Sequence, residues 1–107
     1  MSLDISLRRM KMTEVFGANI THNLGPMADR AGIYDYLWHP ETMGIKTASQ
    51  LIGPLERAID LMKMNPELYK QLEPENKWGT YDNFIPWLEK LLEACKAYPE
   101  SSVNVWI

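Results

Sequence analysis

The chain has 107 residues, 46% hydrophobic and 23% charged, with a formal net charge of −3. That length suits one domain, and the composition excludes a disordered chain. The net acidity opposes non-specific nucleic-acid binding, which requires phosphates to be neutralised by clustered Lys and Arg. A chain this short builds only a thin core, so its bulky side chains, including 4 Trp, 5 Tyr and 7 Met, carry much of the packing.

Leu3, Ile5 and Leu7 alternate with Asp4, Ser6 and Arg8. This two-residue period predicts a half-buried strand. A second extended run covers residues 10–20, with Phe16, Ala18 and Ile20 on one face; Val15 breaks the alternation, and Gly17 marks a bulge or a close approach. The two runs lie too close for a crossover and are expected to form a hairpin. The basic cluster Arg8, Arg9 and Lys11 falls at its end and reads as a solvated turn.

The extended run stops at Thr21-His22-Asn23-Leu24-Gly25-Pro26. Asn23 or Gly25 can cap a short helix over 27–31, with Pro26 in its first turn and Gly32 as its stop. A second short helix is expected over 33–38, ended by His39-Pro40. Thr47-Ala48-Ser49-Gln50 has capping-box spacing, and Leu51, Leu55, Ala58, Ile59 and Met62 follow at helical period. Pro54 predicts a kink or break near Gly53. Asn65-Pro66 ends that helix and starts another over 67–72.

Thr80 is expected to cap the last helix, whose buried stripe is Phe84, Leu88, Leu91, Leu92 and Cys95; Pro86 should bend it. Val103, Val105 and Ile107 predict a C-terminal strand that pairs with the hairpin. The expected fold is therefore one α+β domain: a three-stranded sheet with helices packed on one face. The other sheet face would be open, carrying Arg8, Arg9, Lys11, Thr13 and Trp106, and would serve as a homodimer surface.

The strings Ala18-Asn19-Ile20-Thr21-His22-Asn23-Leu24, Met27-Ala28, Ala31-Gly32-Ile33-Tyr34 and Leu37-Trp38-His39-Pro40-Glu41 resemble a family of small uncharacterised proteins of bacteriophages and prophages. The likeness continues through Leu51-Ile52, Pro54-Leu55, Trp78-Gly79-Thr80-Tyr81, Leu92-Glu93-Ala94-Cys95 and Tyr98-Pro99, covering nearly the whole chain from Gly17 onward. The family often has a longer insert between its first two strands and a more polar C-terminus. The resemblance implies a phage-type accessory protein and supplies no activity, cofactor or catalytic residue.

Asn19, Thr21, His22 and Asn23 sit where a strand gives way to a helix N-terminus, a place that favours anions. Side chains of these types also close turns and cap helices, so a structural role competes. Tyr34, Tyr36, Trp38, Trp78, Tyr81 and Trp87 fall outside the clean helical stripes; they can stack on a nucleobase or simply close a thin core. His22 and His39, with Asp29, Asp35 or Glu41, lack metal-ligand spacing, so no metal site is expected, and no cofactor is implied. Cys95, on a buried stripe, reads as a small hydrophobe rather than a nucleophile. With no apolar run of spanning length and no leader, the chain reads as cytoplasmic, in the host cell if phage-encoded, with no membrane partner.

The leading expectation is a non-enzymatic protein that binds a small anionic, nucleotide-like ligand and sequesters a host signal. Its ligand residues would be Asn19, Thr21, His22, Asn23, Tyr34, Trp38, Trp78 and Tyr81. One alternative is an interaction module that blocks or adapts a host protein; another is a hydrolase with His22 as general base.

Overall fold

The computed structural model describes residues 2–9, 13–77 and 79–107. Strands β1 (Ser2–Arg9), β2 (Thr13–Thr21) and β3 (Ser102–Trp106) form one antiparallel sheet in the order β2-β1-β3. The helices between β2 and β3 are α1 (Gly25–Arg30), α2 (Tyr34–Trp38), α3 (Ser49–Met64), α4 (Pro66–Lys70) and α5 (Tyr81–Ala97), with 3-10 turns at His22–Leu24 and Pro40–Met43. The α+β architecture expected from the pattern is the one observed.

Leu3, Ile5 and Leu7 of β1 are buried, and opposite them Ile20, Ala18 and Phe16 of β2 and Val105 and Val103 of β3 pack against the same core. A strand flanked on both edges by partners, with one face under helices, must carry its largest apolar side chains on that face. Leu7 pairs with Phe16 and Arg8 with Glu14, leaving Val15 as the extra residue of a β-bulge. The irregularity in the alternation at Val15 is the sequence trace of that bulge. Gly17 is instead a close approach: a Cβ there would lie 2.9 Å from the Glu14 carboxylate, which folds over it.

Alternation places Ser2, Asp4, Ser6 and Arg8 on the open face, together with Asn19, Asn104 and Trp106. Among the described residues this face is polar apart from Trp106. The Arg8 guanidinium lies 5.2 Å from the Trp106 ring centroid, and Ser6 beneath it is buried. Arg9 and its partner Thr13 fall on the opposite side of the sheet, which corrects their placement on the open face. Lys11 lies outside the described residues.

Helices α3 and α5 cover the apolar face and run antiparallel, as the exposed pairs Lys63–Glu89 (2.9 Å) and Lys96–Glu56 (3.3 Å) show. Leu51, Leu55, Ala58 and Met62 of α3 meet Phe84, Leu88, Leu91 and Cys95 of α5 in one core cluster. Full burial of each large aliphatic or aromatic side chain stabilises by about 1.5–3 kcal/mol. That packing carries both helices unbroken through Pro54 and Pro86: of the kink or break expected near Gly53 the break does not occur, and α5 runs on through Pro86 as one helix. Thr80 caps α5 as predicted, its hydroxyl accepting from Asn83 N at 3.2 Å, and Glu73 adds a second cap by accepting from Tyr81 N at 2.8 Å. At α3 the capping box is half formed: Gln50 Oε1 accepts from Thr47 N at 3.0 Å, but the Thr47 hydroxyl bonds the Ser49 hydroxyl. Residues before α3 also flank β3, through Val103 N to Lys46 O at 3.1 Å and a bridge between Thr47 and Ser102. Among the described residues no helix is long and apolar enough to cross a membrane.

Candidate functional site

The segment that leaves β2 builds the candidate site. Thr21 Oγ1 accepts from Asn23 N at 3.2 Å, closing the 3-10 turn that carries His22. Leu24, Met27 and Ala28 anchor the turn and α1 in the core. At the end of α1 the chain makes a Schellman reversal: Ile33 N donates to Ala28 O and Gly32 N to Asp29 O, each at 3.0 Å. Gly32 adopts a φ of 76°, the left-handed conformation this reversal needs.

The reversal brings α2 back beside α1. Tyr34 and Trp38 are four residues apart and so share a helix face. Their rings stack at 4.9 Å with 13° between planes. His22 meets Trp38 edge-on at 6.0 Å, and His39 meets Tyr34 in the same manner at 5.7 Å. Gly25 permits the approach of Tyr34, since a Cβ there would sit 3.3 Å from Tyr34 Cε1. The result is a cleft of about 330 Å³ lined by His22, Gly25, Pro26, Asp29, Tyr34 and Trp38. That volume lies at the small end of the range for ligand pockets and suits one ring system.

The Asp29 carboxylate is the charged group on this wall; among the described residues no Lys or Arg lines it. Among the described residues Asp29 joins none of the ion pairs. The Nε2 atom of His22 is shut from solvent and has no hydrogen-bond partner among the described residues. Helix α1 has only six residues and begins on Gly25-Pro26, so few aligned peptide N–H groups are available at its start. The feature that first suggested an anion site is therefore weak here, and the chemistry of the cleft is aromatic and acidic.

Three of the expected ligand residues, His22, Tyr34 and Trp38, converge on the cleft. Asn19 lies on the open sheet face, its amide donating to Ser2 Oγ at 2.9 Å and Asp4 Oδ1 at 2.6 Å. Its carbonyl accepts from the Trp87 indole at 3.0 Å, tying β2 to α5. Thr21 and Asn23 shape the turn rather than the cleft wall. Tyr81 stands apart in the core, where its hydroxyl donates to Met62 O at 2.9 Å. Trp78 lies outside the described residues.

Pro26 was not expected to face a ligand, and Asp29 was weighed only as a metal partner of the histidines. Their i, i+3 spacing on one short helix was the signal, legible only once the reversal at Gly32 is known. A groove of about 220 Å³ between the Pro40–Met43 turn and the end of β3 shares the Trp38 wall. A wider depression of about 460 Å³, beside Arg9 and the end of α5, gathers none of the expected ligand residues. Among the described residues no three His, Cys, Asp or Glu side chains are grouped to hold a metal. Burial pushes the Cys95 thiol up to about 12, which disfavours its thiolate. No family model matches the chain, nor does any curated protein or solved structure.

Proposed function

We propose that the protein binds a small nucleotide-like ligand without transforming it, with the ring system in the His22–Trp38 cleft and the phosphate in solvent. The convergence of His22, Tyr34 and Trp38 around a cavity of about 330 Å³ carries this reading. An aromatic wall offers stacking to any base, worth about 1–3 kcal/mol per base. With no Lys or Arg on the wall among the described residues, the anionic part of the ligand would lie outside the cleft. A hydrolase would require a His22 nitrogen to reach a substrate or water proton, and its Nε2 is shut from solvent. In a phage-type accessory protein, such binding would serve to sequester a host signal.

Thermal melting against a panel of nucleotides tests this, because a ligand that binds only the native state raises the melting temperature. The parent should show a shift with at least one nucleotide, and His22→Ala and Tyr34→Ala, each folded, should lose it. No shift for any nucleotide defeats the proposal. A shift retained in both variants places the ligand elsewhere.

A second reading, an interaction module for a host protein or a second copy, draws on the region where β3 ends. Trp106 and Ile107 are 52% and 61% exposed there, and Met43 on the neighbouring turn is also exposed. Anchors of this type favour protein contact over small-ligand binding. A Trp106→Ala protein that keeps its nucleotide shift while losing a partner would favour this surface as a separate site.

A further inference from the structure

Resting on the reading of the cleft as a nucleotide site, we infer that Asp29 makes it selective for a guanine-type base. The wall supplies rings from Tyr34, Trp38, His22 and Pro26, and one charged side chain, Asp29. That carboxylate is exposed, and among the described residues it is not engaged in an ion pair. An ionised carboxylate only accepts hydrogen bonds, through two oxygens side by side. Its best partner on a planar base is an edge that presents two adjacent donors.

Guanine has such an edge in its N1–H and exocyclic 2-amino group, and the pair can be met bidentately. Adenine presents one donor beside the N1 lone pair, which the carboxylate repels; cytosine has the same mismatch. Hypoxanthine keeps N1–H but lacks the amino group. Among the described residues the wall carries no Lys or Arg that would draw a phosphate into the cleft in place of the base. The cleft therefore ranks ligands by the donor edge of the base, and the rings supply affinity that is common to all bases.

Calorimetric titration of the parent and Asp29→Asn with GMP, IMP, AMP and XMP tests the assignment. In the parent GMP should bind about ten- to a hundredfold more tightly than AMP, with IMP between them, as expected for losing one or both charge-assisted hydrogen bonds. Asp29→Asn offers a carbonyl and an amide donor, so it should weaken GMP by a similar factor and improve XMP, whose 2-oxo group accepts where guanine donates. Asp29→Ala should weaken GMP with no gain for XMP. Equal binding of GMP and AMP by the parent, or GMP binding unchanged in both variants, overturns the role of Asp29 while leaving nucleotide binding in place. If no nucleotide binds the parent, both the selectivity and the underlying function fall.

Discussion

Gly79 shows how a single missing Cβ can position the turn that carries His22. Its φ is 96°, and a Cβ there would lie 2.7 Å from Thr21 Cγ2 and 2.8 Å from Leu24 Cγ. The loop before α5 is thus pressed against the turn that closes the strand end. Gly32 also has a positive φ, 76°, but a Cβ there would meet nothing within 4 Å. The two glycines separate backbone strain from steric conflict. Gly32→Ala should cost about 1–2 kcal/mol, the strain of a left-handed L-residue. Gly79→Ala adds displacement of Thr21 and Leu24 and should cost roughly 2–4 kcal/mol. Denaturant unfolding of both variants checks the order, and equal losses would show that the contact at Thr21 relaxes freely. The Gly79 variant should also weaken nucleotide binding, since Thr21 closes the turn beneath His22.

At the scale of elements, the two long helices each contain a proline at their sixth residue, Pro54 in α3 and Pro86 in α5. Each lacks an N–H for the carbonyl four residues earlier, and its ring crowds that carbonyl. Pro86 is exposed, so its ring contributes no buried packing. Pro86→Ala should therefore raise stability by about 1–3 kcal/mol, the helical penalty of proline reduced by the greater freedom alanine gives the unfolded chain. A gain of that size moves the melting temperature upward by several degrees, and a fall would mean that the bend at Pro86 is required for α5 to follow the sheet. Local chemistry made much of this layer legible in sequence: the Thr80 cap, the Gly32 stop and the alternation of β3 are each set by a few neighbouring residues. Whether α3 runs on through Pro54 was not legible, because that depends on the packing of Leu51 and Leu55 against Phe84 and Leu88, which only the tertiary fold brings together. The candidate site was half legible for the same reason. Tyr34 and Trp38 announce a shared face, whereas Asp29 joins them only through the reversal of the chain.

For the whole molecule, the decisive feature is that β1 is the central strand while its partners come from both halves of the chain. The sheet cannot form until residues near 105 return to those near 5, and α5 links that return to the core. Such a fold should open as one cooperative unit, with few partial openings that expose its interior. Cys95 is a natural reporter of this behaviour. It is fully buried on α5, and burial holds its thiol near 12, so the native protein presents neither access nor thiolate to an alkylating reagent. Once unfolded, the thiol regains an ordinary pKa of about 8.5 and reacts. Because the folded value is the raised one, the neutral thiol persists in the native state as pH increases from 7 to 9, while the unfolded thiol ionises. This linkage lowers stability as pH rises above the unfolded value, and the loss grows until the folded value is reached. Alkylation at pH 8 should accordingly proceed slower than in denaturant by a factor close to the unfolding equilibrium constant, on the order of 10³ or more for a stable domain. Its rate should increase with urea along the same slope as global unfolding monitored by the fluorescence of the tryptophans. A shallow slope would mean that the end of α5 detaches alone, and then β3 would be held by β1 rather than by the helix that precedes it.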